Sequence, residues 1–244
     1  MVAAMELEIC SDTAAGIAAA DAGGADRIEL CAGLALGGLT PSQGLMDLAG
    51  QGPLPCRAMI RPRAGDFVFC DADFAVMARD VAAARAAGLE GVVLGAATAS
   101  GVLDLDMLAR LRARATGMGA TLHRVIDTLA TPLDAIDQAV ALGFDRILTS
   151  GCAPSAHAGR AQLRAMVAHA AGRITIMAGA GITASNAGAI IADTGVRALH
   201  GSCSGPAAHS AHGELPVHGG GEPETLRVTD PAKIAALRAA MQGP

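Results

Sequence analysis

The chain has 244 residues, of which 52% are hydrophobic and 17% charged, and its formal net charge at pH 7 is −5. This length and composition suit one α/β barrel with an ample core and exclude a disordered chain. The acidic balance, with four Phe and neither Trp nor Tyr, argues against nucleic-acid binding, because there is no basic surface and almost no ring to stack on a base.

The N-terminus and the cysteines bear on the compartment. The opening residues M-V-A-A-M-E-L-E-I-C have neither the basic start nor the apolar run of a signal peptide, and no stretch reaches the roughly 18 apolar residues of a membrane helix. We therefore expect a cytoplasmic protein. Its six cysteines, at 10, 31, 56, 70, 152 and 203, are then expected to be thiols or metal ligands rather than disulfides.

Short apolar runs alternate with longer Ala-rich segments along the whole chain. The apolar runs predict eight strands, at 5–10, 26–31, 56–61, 91–95, 120–126, 145–150, 173–178 and 198–202. Helices are expected between them; Asp71 is a candidate N-cap for one, and Asp230-Pro231 opens the last. Eight strands that alternate with helices predict a single-domain (β/α)8 barrel, a TIM barrel, over 1–244.

The segment 204–229 is expected to be an irregular loop after the eighth strand. It contains His209, His212 and His218 and many glycines. Long loops without secondary structure often act as lids over a site, so this segment is a candidate lid at the mouth of the barrel.

A short repeat supports the barrel. The motif G-x-D-R-I occurs at 24–28 and again at 143–147, four strand–helix units apart, as two similar half-barrels would place it. Asp26, Arg27, Asp145 and Arg146 then lie where strands begin, at the end of a barrel that serves stability rather than chemistry.

Side chains alternate along a strand, and the apolar side of each barrel strand must face the helices. By this rule Leu7, Ile9, Ile28, Leu30 and Ile60 face outward. The polar residues that face the lumen near the carboxyl ends of the strands are Glu8, Cys10, Glu29, Cys31, Arg61, His123 and His200. Active sites of barrel enzymes lie at that end; the alternative is a charge-paired core layer, with Glu8 or Glu29 bound to Arg57 or Arg61.

Several chemistries fit this set. Glu8 and Glu29 could act as general acid and base, because neighbouring carboxylates split their pKa values. Alternatively, both could bind a divalent metal together with His123 and His200. Arg61 could hold the carboxylate or phosphate of a ligand. Asp127, just after the fifth strand, is a further catalytic candidate or a helix cap.

Two glycine-rich turns follow the seventh and eighth strands. They read A-G-A-G-I-T at 178–183 and H-G-S-C-S-G at 200–205. Barrel phosphate sites commonly use these two loops, where backbone N–H groups approach an anion. The predicted anion-binding residues are Gly179, Ala180, Gly181, Gly201 and Ser202.

Cys10 and Cys31 each follow a Glu by two residues on adjacent strands. Two neighbouring thiolates could bind copper(I), a soft ion suited to sulfur. The alternative is that each is a small buried apolar residue.

The combination of L-E-I-C (7–10), G-G-A-D-R-I-E-L-C (23–31), G-L-T-P-S (38–42), M-I-R-P-R (59–63), D-R-I-L-T-S-G (145–151) and A-L-H-G-S (198–202) resembles the CutC family of cytoplasmic copper-homeostasis proteins. The resemblance implies a (β/α)8 barrel that self-associates, as a dimer or tetramer, with a role in copper tolerance or copper(I) binding at Cys10 and Cys31. It brings no settled enzymatic reaction. The chain departs from the expected pattern at Cys152, at 179–181 and in the His-rich segment 204–229.

Two functions are therefore expected. The first is copper homeostasis. The alternative is a barrel enzyme of lyase, isomerase or hydrolase type that acts on a small phosphorylated or carboxylated metabolite at the barrel mouth. No nucleotide cofactor and no membrane or nucleic-acid partner is expected.

Overall fold

A computed structural model describes residues 5–207 and 227–242. The barrel strands are β1 (Glu6–Ser11), β2 (Arg27–Leu30), β3 (Cys56–Met59), β4 (Gly91–Leu94), β5 (Gly119–Leu122), β6 (Arg146–Thr149), β7 (Thr175–Ala178) and β8 (Ala198–Gly201). The helices are α1 (Ala14–Ala22), α2 (Gln43–Gly50), α3 (Asp71–Ala86), α4 (Leu105–Arg114), α5 (Pro132–Ala141), α6 (Arg160–Ala170), α7 (Ala187–Thr194) and α8 (Pro231–Met241).

The eight strands form a closed parallel barrel in sequence order, and β8 pairs with β1 to close it. The helices alternate with the strands and cover the outside. The predicted (β/α)8 barrel is thus confirmed. Within the described residues no helix is long and apolar enough to cross a membrane.

The outer face of the strands is apolar, as the alternation predicts. Leu7, Ile9, Ile28, Leu30 and Ile60 are buried in one hydrophobic cluster with residues from the surrounding helices. The lumen contains separate small clusters, which are Cys31 with Met59 and Val93, and Leu148 with Met177 and Ala198. The lumen therefore contains the polar side chains of the strands together with these two small apolar clusters.

The two copies of G-x-D-R-I play the same structural part. Asp26 exchanges two hydrogen bonds with Leu7: its carboxylate accepts from the Leu7 N–H at 2.7 Å, and its own N–H donates to the Leu7 carbonyl. Asp145 exchanges the same pair with Ala120, the first at 2.9 Å. Each aspartate therefore fixes the start of its strand to the preceding strand, which confirms the prediction of repeated architecture.

An ionic network closes the lumen at the amino ends of the strands. Arg57 donates to Glu90 at 2.7 Å and to Asp145 at 2.6 Å, and its side chain is 3% exposed. Glu6 binds both Arg27 and Arg146. These ion pairs link five strands at the end of the barrel that lies away from the mouth.

Two expectations about element boundaries were wrong. The fifth strand, predicted over 120–126, ends at Leu122, and a 3-10 helix (Arg124–Thr128) follows. The chain turns there because the His123 ring accepts a hydrogen bond from the Val125 N–H. The N-cap of α3 is Cys70, and Asp71 is its first helical residue.

The ends of the segment 204–229 are not irregular. They form a two-stranded antiparallel sheet, β9 (Ser204–Pro206) and β10 (Arg227–Thr229). α8 begins as predicted, with Asp230 as N-cap and Pro231 at the first position. The interior of the segment, with His209, His212 and His218, lies outside the described residues, as does the predicted lid.

Candidate functional site

A cavity of about 620 Å³ opens at the carboxyl ends of the strands. Most of the strands contribute to its wall, and the turns after β7 and β8 form one side. Cys10, Glu29 and His200, at most 8% exposed, form what we call the floor of the cavity. Ligand sites of barrel enzymes occupy this end of the fold.

The strand register assembles the floor. Cys10 lies opposite Glu29 between β1 and β2, and Glu8 lies opposite His200 between β1 and β8. The Cys10 Sγ, a Glu29 carboxylate oxygen and a His200 ring nitrogen all lie within 4.8 Å of one another. This spacing would let one metal ion reach all three donors.

His200 bridges the two glutamates. Its Nδ1 lies 2.9 Å from Glu8 Oε1, and its Nε2 lies 3.7 Å from Glu29 Oε2. Burial lowers the pKa of His200, but the Glu29 charge, Cys10 and the Glu8 hydrogen bond outweigh it and raise that pKa well above 6.5. The neighbouring carboxylates therefore favour the imidazolium form of His200.

The two glutamates differ in acidity. Burial raises the pKa of Glu29 above 4.5, and the Glu8 charge adds to the increase. Burial also opposes ionisation of Glu8, but the His200 hydrogen bond and charge, with Arg146 and Arg27 beyond, bring its pKa below 4.5. This is the split that the sequence predicts for neighbouring carboxylates. Glu8 Oε2 and Glu29 Oε1 are buried without a hydrogen-bond partner among the described residues.

The alternative of a charge-paired layer with arginine is wrong. Arg57 binds Glu90 and Asp145 at the opposite end of the lumen. Arg61 donates to the carbonyls of Leu36, Gly38 and Gly65, at 3.0, 3.2 and 2.7 Å. The Arg61 fork, which was expected to hold a ligand anion, is thus occupied by backbone, although its charge remains at the cavity wall.

Cys31 lies beside the floor but outside the compact group. It stands two residues beyond Glu29, and its Sγ donates to Glu29 Oε2 at 3.6 Å. Burial, with the Glu29 charge, raises the pKa of the Cys31 thiol well above 9.0. The stagger between β1 and β2 places Glu29, not Cys31, opposite Cys10.

His123 lines the cavity wall, as predicted, but does not join the floor group. Its Nδ1 accepts from the Val125 N–H at 3.1 Å, and its buried Nε2 has no partner among the described residues. Burial and the nearby Arg61 charge lower its pKa to about 3. The ring packs on Phe67, with centroids 4.7 Å apart. The donors within 4.8 Å of one another are those of Cys10, Glu29 and His200, and the divalent site predicted at Glu8, Glu29, His123 and His200 stays a prediction.

Asp127 is not among the residues that line the cavity, and its catalytic role stays a prediction. Its carboxylate accepts from the N–H groups of Ser150 and Cys152 and from the hydroxyls of Thr149 and Ser150. Arg124 pairs with it at 2.8 Å. Asp127 is a structural anchor that holds the turn after β6 against the 3-10 helix.

The two glycine-rich turns reach the cavity, with one exception. Ala180, Gly181, Gly201 and Ser202 line it. Gly179 does not line it, and its N–H donates to the Thr149 carbonyl at 3.0 Å. Ala180 and Cys203 have left-handed backbone, with φ of 75° and 44°. Such strain in non-glycine residues is concentrated at functional sites.

Sequence reasoning missed two basic residues at the opening of the cavity, Arg227 and Lys233. Neither lies on a barrel strand, so strand alternation gave no signal. Composition did give a signal for Lys233, because it is the only lysine in the chain.

A family model described as the CutC family matches residues 5–205. The chain belongs to the CutC family. It is 51% identical over 235 residues to a family protein CutC of Sinorhizobium medicae (strain WSM419), covering 96% of this chain and 95% of the relative. It is 49% identical over 240 residues to a counterpart in Rhizobium meliloti (strain 1021), covering 98% and 97%.

Solved structures agree with this assignment. The CutC structure from Streptococcus agalactiae has a TM-score of 0.78 and 33% identity, covering 81% of this chain and 98% of that one. A thiamine phosphate pyrophosphorylase from Pyrococcus furiosus, 16% identical, has a TM-score of 0.60, covering 98% and 96%. The second likeness shows the barrel fold alone.

Proposed function

We propose that this CutC-family chain binds one copper(I) ion at the floor of the cavity, through Cys10 Sγ and His200 Nε2. The observation that carries the proposal is the convergence of Cys10, His200 and Glu29 donors within 4.8 Å. All three are buried at the base of an open cavity, so an ion could enter from the mouth.

The donor set suits a soft or borderline ion. Thiolate selects copper(I) or zinc, and imidazole suits both. Glu8 accepts from His200 Nδ1, and a carboxylate behind a histidine is the usual means of aiming the other ring nitrogen at a metal. The Glu29 carboxylate is a harder ligand, so zinc would use all three donors whereas copper(I) needs only sulfur and nitrogen.

The relatives support copper as the ion to test first. The Streptococcus agalactiae protein, 33% identical to this chain, is named for copper homeostasis. Our proposal assigns the same role to this chain and places it in the cytoplasm, where thiols stay reduced.

Copper(I) affinity, measured anaerobically by competition with a chromophoric chelator, tests the proposal. We expect one ion per chain and at least a tenfold weaker affinity in Cys10→Ser. Cys70→Ser is the matched control, because Cys70 is exposed and absent from the cavity lining. Unchanged stoichiometry and affinity in Cys10→Ser would contradict the proposal. An equal loss in Cys31→Ser would instead support the two-thiol site predicted from the sequence.

A second candidate function is proton-transfer catalysis on a small anionic metabolite. The opposite pKa shifts of Glu8 and Glu29 favour it, because a raised carboxyl beside an ionised one is a common acid–base arrangement. His123 Nε2 offers an unused hydrogen-bond donor to a substrate oxygen. The two candidates differ in their need for the Cys10 thiol, which only the metal site requires.

A further inference from the structure

Basic side chains dominate the charged lining of the cavity, although the chain as a whole is acidic. Among the described residues, the lining contains a single carboxylate, Glu29. The basic side chains are Arg61, Arg124, Arg227 and Lys233. Only Arg124 has a carboxylate partner among the described residues. A cavity with this imbalance attracts anions.

Two of these cations meet at one side of the opening, where Ser204 holds them. The Ser204 carbonyl accepts from Lys233 Nζ and from Arg227 Nη2, each at 3.0 Å. Its hydroxyl lies 3.1 Å from Arg227 Nε and 3.1 Å from the Ser202 hydroxyl. We call Ser202, Ser204, Arg227 and Lys233 the basic corner.

The basic corner is held in place by secondary structure. The pairing of β9 with β10 sets Arg227 opposite Pro206, and Lys233 lies in the first turn of α8. An ammonium has three N–H donors and a guanidinium five, so both cations retain donors beyond those given to Ser204.

We propose that the basic corner binds the phosphate group of a small phosphate monoester whose remaining part extends into the cavity toward Glu29. This deepens the second candidate function, although binding itself requires no catalysis. Two cations and two hydroxyls match the charge and oxygens of a phosphate dianion better than those of a carboxylate. The turns after β7 and β8, with left-handed backbone at Ala180, Gly181 and Cys203, border the corner, as in barrel phosphate sites.

The rest of the cavity suits the organic part of such a ligand. Met59, Phe67 and Leu148 are apolar residues of the cavity lining. A cavity of about 620 Å³ lies within the range for small metabolites.

The single lysine makes the test direct. Protein labelled with [13C,15N]lysine gives side-chain NMR signals from Lys233 alone. We expect inorganic phosphate, added at constant ionic strength with chloride as the balancing anion, to shift these signals saturably, with a millimolar midpoint. A shift that rises linearly, as screening produces, would overturn the proposal. So would acetate shifting the signals with the same midpoint.

Matched variants exclude a general charge effect. Arg227→Gln should raise the phosphate midpoint at least fivefold, whereas Arg79→Gln, an exposed arginine on α3 absent from the cavity lining, should leave it unchanged. Equal effects of the two variants would overturn the proposal. Cys10→Ser and Glu29→Gln should both keep the phosphate midpoint, so failure of the copper or catalytic function is distinguishable from failure of the basic corner.

Discussion

His123 combines full burial with a neutral ring. Its folded-state pKa is about 3, whereas an exposed histidine titrates near 6.5. Between these values the unfolded chain binds a proton that the folded chain does not. The free energy of unfolding therefore falls as the pH drops through 6.5 toward 3. The stabilisation that the neutral buried ring provides is fully present above pH 6.5.

Replacement of His123 should flatten that pH dependence. Between pH 7.5 and pH 5, the unfolding free energy of the wild type should fall by about 2 kcal/mol more than that of His123→Gln. Urea unfolding at a series of pH values measures it. His157→Gln, at an exposed position, is the control and should follow the wild-type curve. Parallel curves for His123→Gln and wild type would show that His123 does not carry the effect.

The direction of most lumen side chains could be predicted from the sequence, because alternation in a strand depends only on local geometry. Glu8, Glu29, His123 and His200 were placed in this way. The roles of Arg61 and Asp127 could not, since their partners are backbone groups in turns. The order of residue types in the sequence does not indicate which turn a long side chain will bind through hydrogen bonds.

At the scale of elements, helix ends show how backbone conformation selects residues. The C-cap of α7 is Gly195, with φ of 73°, whereas the C-cap of α6 is Ala171, which adopts the same left-handed conformation at φ of 49°. A Cβ is unfavourable there, and glycine is the usual choice. The backbone at Ala171 is therefore slightly strained.

Ala171→Gly should therefore stabilise the protein by about 0.5–1 kcal/mol, because the relief of strain exceeds the entropy cost of glycine. The C-cap of α3, Ala87, has φ of −71° and serves as the matched control. Ala87→Gly should destabilise by up to about 1 kcal/mol. Thermal unfolding of the two variants compares them, and a loss of stability in Ala171→Gly would contradict the argument.

Element order could be predicted more reliably than element ends. The strand over 120–126 was predicted too long because Val125 and Ile126 continue an apolar run, although both are buried in the following 3-10 helix. The β9–β10 pairing was missed because its strands are three residues long and distant in sequence.

At the scale of the whole molecule, the barrel is closed by strand pairing and sealed at one end by ion pairs. Counting strand–helix units predicted the closure, but not the register that brings Cys10 opposite Glu29, since stagger depends on all eight strands together. The sealing network centres on Arg57, whose pKa is raised by its bonds to Glu90 and Asp145, against the effect of burial.

Arg57→Met should cost about 2–4 kcal/mol, because it leaves Glu90 and Asp145 without their buried partner, although both are partly solvated. Arg63→Met removes an exposed ion pair with Asp66 and should cost less than about 1 kcal/mol. Urea unfolding at pH 7 measures both. Similar losses in the two variants would show that the network does not support the barrel.

The sealed end has a kinetic consequence. Arg57 and its partners fill the lumen at the amino ends of the strands, so in the described part of the chain the cavity opens at the carboxyl ends. Whatever binds at the floor enters and leaves through the mouth of the barrel, where the basic corner forms one side of the opening. A phosphate ester that extends from the corner toward Glu29, as proposed, would therefore cover an ion already at the floor. The ion would have to bind before the ester and leave after it.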